Sequence, residues 1–130
     1  MTESKFQTRF NQWLRETQSI DNAGFELKVT KKNSIPFSAV KPHQINALLE
    51  VKKRGLIYKI SDISLGLKPI DCFILHGAAY VVILYYKGSR KINTAYIIDI
   101  DRFLDEMKTS KRKSLLEHRA MAIAYKMFSL

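Results

Sequence analysis

The chain lacks the residues that would indicate an oxidising compartment or a membrane. Its single cysteine, Cys72, cannot form an internal disulfide, and no Cys and His residues have the spacing of a zinc site. The longest apolar run, residues 77–86, is half the length that a membrane-spanning helix needs. The first residues lack the apolar core of a signal peptide. We therefore expect a soluble, cytoplasmic protein in which Cys72 is a small buried hydrophobe.

Acidic residues are also scarce. The 130-residue chain has 22 Lys and Arg against 12 Asp and Glu, which gives a formal net charge of +10. A hydrophobic content of 46% excludes a disordered chain, and like charges repel one another in a compact protein. The excess positive charge therefore indicates a polyanionic partner, most commonly nucleic acid. A basic protein without such a partner is the alternative.

The hydrophobic periodicity predicts one α+β domain over residues 1–130, with a mixed central sheet flanked by helices. Thr2, Pro42 and Ser110 lie where helices prefer to start. Helices are expected over residues 3–17, 42–53, 101–107 and 111–128. Strands are expected over residues 24–30, 56–60, 69–75, 79–86 and 92–98, with an extended piece over 35–40.

One predicted strand, Phe25-Glu26-Leu27-Lys28-Val29, combines an apolar face with two charges. Because side chains alternate along a strand, Phe25, Leu27 and Val29 would enter the core. Glu26 and Lys28 would project together from the other face, where a carboxylate beside an ammonium suits a divalent metal and a phosphodiester. The same Glu-x-Lys spacing occurs three more times, but only in predicted helices, where residues i and i+2 do not share a face. An ordinary surface ion pair is the alternative interpretation.

Residues 25–49, FELKVTKKNSIPFSAVKPHQINALL, resemble the strand, loop and helix of the PD-(D/E)XK nuclease superfamily, and within it the RecU-type Holliday junction resolvases. In that family the acidic/x/Lys strand precedes a loop with Lys and Ser, a Phe-Pro or Pro-Phe piece, and a helix that opens with His-Gln. The matching elements here are Glu26-Leu27-Lys28, residues 31–34, Pro36-Phe37 and His43-Gln44. Residues 4–14, 79–86 and 96–106 are similar to the first helix and the closing strands and helix of the family.

The resemblance implies a restriction-endonuclease-like fold and the hydrolysis of DNA phosphodiesters with Mg²⁺ or Mn²⁺. Glu26 and Asp71 would ligate the metal, and Lys28 would position the attacking water or offset charge on the phosphorane. Gln44 would hydrogen-bond the water or the scissile phosphate. The family suggests branched DNA, and paired cuts in a four-way junction imply a two-fold homodimer. The small size is compatible with a phage-encoded protein, which would act in the cytoplasm of a bacterial host.

Two departures from the family concern the metal site. The first helix of the family often carries a Glu where this chain has Gln7. The family also has an Asp, often in Pro-Asp, well before the acidic strand, whereas Asp21 lies only five residues before Glu26. We interpret Asp71, in a Pro-Ile-Asp sequence, as the displaced counterpart of that Asp. Asp62 and Asp21 are the alternatives.

The basic residues around the motif are the candidate contacts for DNA. They are Lys31, Lys32, Lys41, His43, Lys52, Lys53 and Arg54, with Lys111, Arg112 and Lys113 as a further group. Each cluster alone could be a solvated surface, but their excess over acidic residues favours phosphate contacts and binding that weakens steeply with salt. Two other functions stay open: a degraded nuclease module that only binds nucleic acid or a protein partner, and a nuclease with another substrate.

Overall fold

The structure, a computed structural model, describes residues 1–17, 23–54, 56–59, 72–75 and 77–130. Its elements in chain order are α1 Glu3–Thr17, β1 Ala23–Thr30, β2 Ser34–Pro36, a 3-10 helix Phe37–Ala39, α2 Pro42–Arg54, β3 Leu56–Lys59, β4 Cys72–Leu75, β5 Ala78–Tyr85, β6 Thr94–Asp99, α3 Ile100–Thr109, β7 Ser114–Leu116, α4 Glu117–Ile123 and β8 Lys126–Ser129.

The central sheet has the strand order β1-β5-β6-β8. β1 runs parallel to β5, whereas the β5–β6 and β6–β8 pairs are antiparallel. Elsewhere β2 pairs with β7, and β3 pairs with β4, both antiparallel. A mixed sheet flanked by helices confirms the predicted α+β class.

Apolar side chains cover both faces of this sheet. On one face α1 contributes the fully buried Phe6 and Phe10, and Phe10 packs edge-on against Phe25 of β1 with ring centroids 4.9 Å apart. On the other face α2, α3 and α4 pack over β5 and β6. Because both faces are covered, β5 is buried along almost its whole length. The predicted N-cap of α1 is confirmed, since Thr2 Oγ1 accepts a hydrogen bond from the Lys5 N–H at 3.2 Å.

The position of α2 over β1 depends on a glycine. The chain leaves β1 at Thr30 and returns along α2 in the opposite direction, so that Val51 near the end of the helix reaches Gly24 near the start of the strand. A Cβ added at Gly24 would lie 3.3 Å from Val51 Cγ1. Glycine therefore allows the helix to approach the strand this closely.

The prediction of one helix over residues 111–128 is wrong. This segment forms β7, α4 and β8. Ser110 does not cap a following helix but ends α3, where its N–H donates to the Glu106 carbonyl at 2.9 Å. The predicted extended piece over 35–40 is likewise divided, since it continues from β2 into the 3-10 helix.

Tertiary partners explain why the helical spacing failed at the C-terminus. Leu115 pairs with Ile35 across the β2–β7 ribbon and is buried there. Phe128 lies beneath α1 and stacks on Trp13 with ring centroids 4.4 Å apart. Both side chains are thus held by residues distant in sequence, and these contacts outweigh the local preference for a helix.

Candidate functional site

Glu26 and Lys28 lie side by side on β1, as the alternation of the strand predicted. Phe25, Leu27 and Val29 belong to the apolar cluster beneath α1. On the opposite face, Lys28 Nζ lies 3.4 Å from Glu26 Oε1, and the two side chains are 12% and 26% exposed, respectively. The sequence therefore located this charged pair correctly, whereas its catalytic role remains a prediction.

The surroundings of the pair are largely apolar. Glu26 stands beside Val81 and Lys28 beside Ile83 in the β1–β5 register, and both β5 residues are fully buried. Interactions between charges are stronger in such a setting than in open water. Within the described sheet β1 has a neighbouring strand on one side only, so the pair lies at a sheet edge.

A cleft of about 180 Å³ lies between this edge and α1 and is lined by Glu3, Gln7, Phe25, Glu26 and Leu27. Glu3 and Gln7 are four residues apart in α1 and therefore share a helix face. Gln7, at the position where the family often carries a Glu, thus lines the same cleft as Glu26. Glu3 was not among the predicted site residues, because its place in the cleft depends on how α1 packs across β1.

Three residues that line this cleft have side-chain oxygen atoms of the type that Mg²⁺ and Mn²⁺ prefer. Carboxylates from Glu26 and Glu3 and the amide oxygen of Gln7 are hard ligands. Among the described residues, however, no group of three or more His, Cys, Asp or Glu could hold a metal ion. Asp71, the predicted second ligand, lies outside the described residues, as do the alternatives Asp62 and Asp21.

Gln44 lies in the first turn of α2 and has a structural contact. Its Oε1 accepts a hydrogen bond from the Lys41 N–H at 2.9 Å, which satisfies one of the free amides at the helix start. The contact of Val51 with Gly24 fixes the height of α2 relative to β1. Measured from that contact, the helix advances about 1.5 Å per residue and the strand about 3.3 Å per residue. Gln44 therefore comes about level with Lys28, and its side-chain NH₂ has no hydrogen-bond partner in the described part of the chain.

Lys52, predicted to contact DNA, instead joins two acidic residues. Its Nζ lies 2.8 Å from Asp99 Oδ1 and also pairs with Asp101. Burial lowers the pKa of Lys52, but the hydrogen bonds to Asp101 and Asp99 outweigh it and leave the pKa above its ordinary value. Because Asp99 also caps α3, Lys52 ties the end of α2 to the start of α3.

The other predicted DNA contacts differ in their partners. Arg54 pairs with Glu50 at 3.0 Å one turn earlier in α2. The remaining basic residues of this set are exposed and have no acidic partner in the described part of the chain: Lys31, Lys32, Lys41, His43, Lys53, Lys111, Arg112 and Lys113. The last three rim a groove of about 520 Å³ that Phe37 and Met107 also line. Those residues are available to a polyanion, whereas Lys52 and Arg54 are already paired.

No helix among the described residues is long and apolar enough to cross a membrane. No protein-family model, curated protein or solved structure matches the chain. The likeness to RecU-type resolvases therefore rests on the motif residues alone, and the function must be inferred from those residues and from the geometry of the site.

Proposed function

We propose that the protein is a metal-dependent DNA endonuclease with a restriction-endonuclease-like fold, specific for branched DNA such as the Holliday junction. The observation that carries the proposal is the pair of Glu26 and Lys28, 3.4 Å apart on one strand and half-buried at the sheet edge. Metal-dependent phosphodiester hydrolysis uses a carboxylate to hold the metal ion and a positive charge near the phosphate, and this strand supplies both groups.

When bound by Glu26 and Asp71, Mg²⁺ or Mn²⁺ would polarise the phosphate and lower the pKa of a bound water. Lys28 would offset the negative charge that develops on the phosphate oxygens, and its partial burial would strengthen this effect. Gln44 would hold the phosphate or the attacking water through its side-chain NH₂, while its oxygen keeps the first turn of α2 in place.

The charge distribution supports DNA as the substrate. Lys31 and Lys32 are exposed in the turn that follows β1, close in sequence to Lys28. The start of α2 adds Lys41 and the positive end of the helix dipole, both of which favour a phosphate. Such contacts recognise the backbone rather than the base sequence, which suits an enzyme that reads DNA shape. Cutting two opposed strands of a four-way junction would require a two-fold homodimer.

A second candidate function is a degraded nuclease module that binds nucleic acid or a protein partner without cutting. The amide of Gln7 in the cleft favours this alternative, because it replaces a carboxylate at the family position. Glu3 and Glu26 are then the two carboxylates that line the described cleft. Two carboxylates alone hold Mg²⁺ poorly unless a third joins them.

Cleavage of an end-labelled four-way junction, compared with a matched linear duplex, tests the proposal. Reactions contain Mg²⁺, Mn²⁺ or a chelator and use the wild type with Glu26→Gln, Lys28→Ala and Asp71→Asn. Glu50→Gln is the matched control, because Glu50 has the same Glu-x-Lys spacing but lies on α2. We expect paired symmetric nicks near the branch point, lost in chelator and in the three site variants and retained in the control. Equal cutting of junction and duplex would indicate a nuclease with another substrate.

Metal binding distinguishes the active enzyme from the degraded module. Calorimetric titration with Mn²⁺ should show binding by the wild type that Glu26→Gln weakens. Gln7→Glu should tighten binding, because it adds a carboxylate to the cleft. Junction binding without cutting, together with equal Mn²⁺ titrations of the wild type and Glu26→Gln, would favour the module.

A further inference from the structure

The hairpin between β5 and β6, residues 86–93, is held in place by the buried Asn93. Asn93 Oδ1 accepts a hydrogen bond from the Lys87 N–H at 2.6 Å, and its Nδ2 donates to the carbonyls of Gly88 at 2.8 Å and Lys91 at 3.2 Å. Gly88 has a φ of 128°, which other residues rarely adopt. One side chain therefore organises the whole loop, and β6 begins at Thr94 rather than at residue 92 as predicted.

The loop presents an apolar side chain to solvent. Ile92 is 77% exposed, compared with 56% for Met127 on β8. Its neighbour Asn93 is buried, whereas Ile92 faces solvent. A single exposed apolar residue is common on protein surfaces and carries no conclusion by itself. The charges around Ile92 are what distinguish it.

The residues of the hairpin near Ile92 carry positive charges, and the hairpin has no acidic residue to neutralise them. The hairpin contains Lys87, Arg90 and Lys91 and no Asp or Glu. Lys87 pairs with Glu117 at 3.0 Å. Arg90 and Lys91 are exposed and have no acidic partner among the residues that the structure describes. Ile92, which follows the turn of the hairpin, is therefore preceded by two free positive charges, a combination that suits a nucleic acid better than an apolar protein surface.

The hairpin starts where the candidate strand ends. The Tyr86 N–H donates to the Thr30 carbonyl at 2.8 Å, two residues beyond Lys28 on β1. Lys31 and Lys32 follow Thr30 in an exposed turn, so their charges gather at the same end of the sheet as the hairpin. DNA that reached Lys28 from this end would meet the hairpin.

We propose that Ile92 acts as a wedge that enters between base pairs of bound DNA, while Arg90 and Lys91 contact the flanking phosphates. The inference rests on the proposed function for its partner, DNA, and adds the element that opens the base stack. Apolar side chains inserted at a base step unstack it and kink the duplex. Unstacking costs least where the duplex is already interrupted, as at a branch point. A preorganised hairpin loses little conformational freedom on binding.

The wedge is tested with a four-way junction that carries 2-aminopurine at the branch point. A junction with 2-aminopurine within one arm is the reference, and both are measured in chelator. Fluorescence anisotropy measures affinity over a range of salt, and 2-aminopurine intensity reports unstacking. With the wild type we expect the intensity to rise at the branch point only. Ile92→Ser should weaken binding about tenfold and abolish the rise at saturating protein, with an unchanged salt slope. The double variant Arg90→Ala/Lys91→Ala should lower that slope by about two.

Met127→Ser is the matched control, because Met127 is an exposed apolar residue on β8, opposite Tyr96 in the β6–β8 register and outside the hairpin; it should behave as the wild type. If the wild type binds the junction without a rise in intensity, or if Ile92→Ser and Met127→Ser are equal, the wedge is wrong and the proposed function is unaffected. If the wild type shows no salt-dependent DNA binding, the proposed function fails as well. A changed oligomeric state of Ile92→Ser in sedimentation, with a normal 2-aminopurine response, would make Ile92 an interface between copies and overturn the wedge.

Discussion

Replacing Lys52 by methionine should destabilise the fold and leave DNA affinity almost unchanged. The Lys52 ammonium bonds to both carboxylate oxygens of Asp99, at 2.8 and 2.9 Å, and pairs with Asp101. Asp99 also accepts a hydrogen bond from the Asp101 N–H at 2.9 Å as the cap of α3. Methionine keeps the length of the side chain but leaves both carboxylates without their cation.

The expected loss follows from the exposure of the pair. Removing one partner of a charged hydrogen bond costs about 1.5–3 kcal/mol when the other is left desolvated. The Lys52 and Asp99 side chains are 33% and 27% exposed, so water screens part of the interaction. We therefore expect a loss of about 1–2 kcal/mol in the free energy of unfolding, or about 3–8 °C in Tm for a domain of this size. Because the pKa of Lys52 is raised, its stabilisation is complete below the unfolded pKa and is lost only as the pH rises through the folded pKa.

Lys53→Met provides the matched control, since Lys53 is adjacent, exposed and without an acidic partner in the described residues. Urea and thermal unfolding should place Lys53→Met within about 0.5 kcal/mol of the wild type. In junction binding we expect Lys53→Met, and not Lys52→Met, to be affected: the slope of log K against log salt should fall by about one in Lys53→Met alone. Unchanged stability in Lys52→Met, with a reduced salt slope, would refute the structural role of Lys52.

Three further predictions concern the packing that surrounds the site. Asn93→Ala should lower the free energy of unfolding by about 2 kcal/mol in urea titrations, because it leaves hairpin amide and carbonyl groups unpaired; a loss no larger than that of Ser89→Ala would contradict this. Gly24→Val should cost about 1–3 kcal/mol, because the new side chain meets Val51, and Val51→Ala should recover part of the loss; strict additivity in the double-mutant cycle would count against the contact. Burial and a carboxylate hydrogen bond raise the pKa of Tyr96 to about 12, so its contribution is complete below pH 10 and is lost as the pH rises toward 12. Tyr96→Phe should flatten that alkaline loss in circular dichroism titrations, and a curve of wild-type steepness would be the contrary result.

The elements that sequence periodicity predicted well are those whose apolar stripe faces the sheet. α1 spans the predicted residues 3–17, and α2 ends one residue beyond the predicted 42–53. In both helices the local preference and the tertiary packing favour the same structure, so the hydrophobic pattern is sufficient to predict the helix. At the C-terminus they conflict, because Leu115 and Phe128 are buried by partners distant in sequence, and the predicted helix is replaced by two strands and a short helix.

The same distinction applies to the candidate site. The two-residue period of a strand places Glu26 beside Lys28 without any tertiary information. That Glu3 lines the same cleft as Glu26 could not be derived in this way, because it depends on how α1 packs across β1. The role of Lys52 depends on Asp99, 47 residues later in the chain. The composition alone indicated that Lys52 was available to DNA, whereas in the structure it is paired with Asp99.

Pairing also decides which positive charges are left free. Among the described residues six acidic side chains are held in ion pairs at distances up to 3.4 Å: Glu26 with Lys28, Asp99 and Asp101 with Lys52, Glu50 with Arg54, Glu117 with Lys87, and Glu106 with Arg119. Cations with no such partner among the described residues include Lys31, Lys32, Arg90 and Lys91, which all lie at the end of the sheet where β1 finishes. These four cations should therefore strengthen the electrostatic attraction for a polyanion at that end of the sheet. It follows that substitutions among the paired cations should alter stability, whereas substitutions among these four should alter the salt dependence of binding.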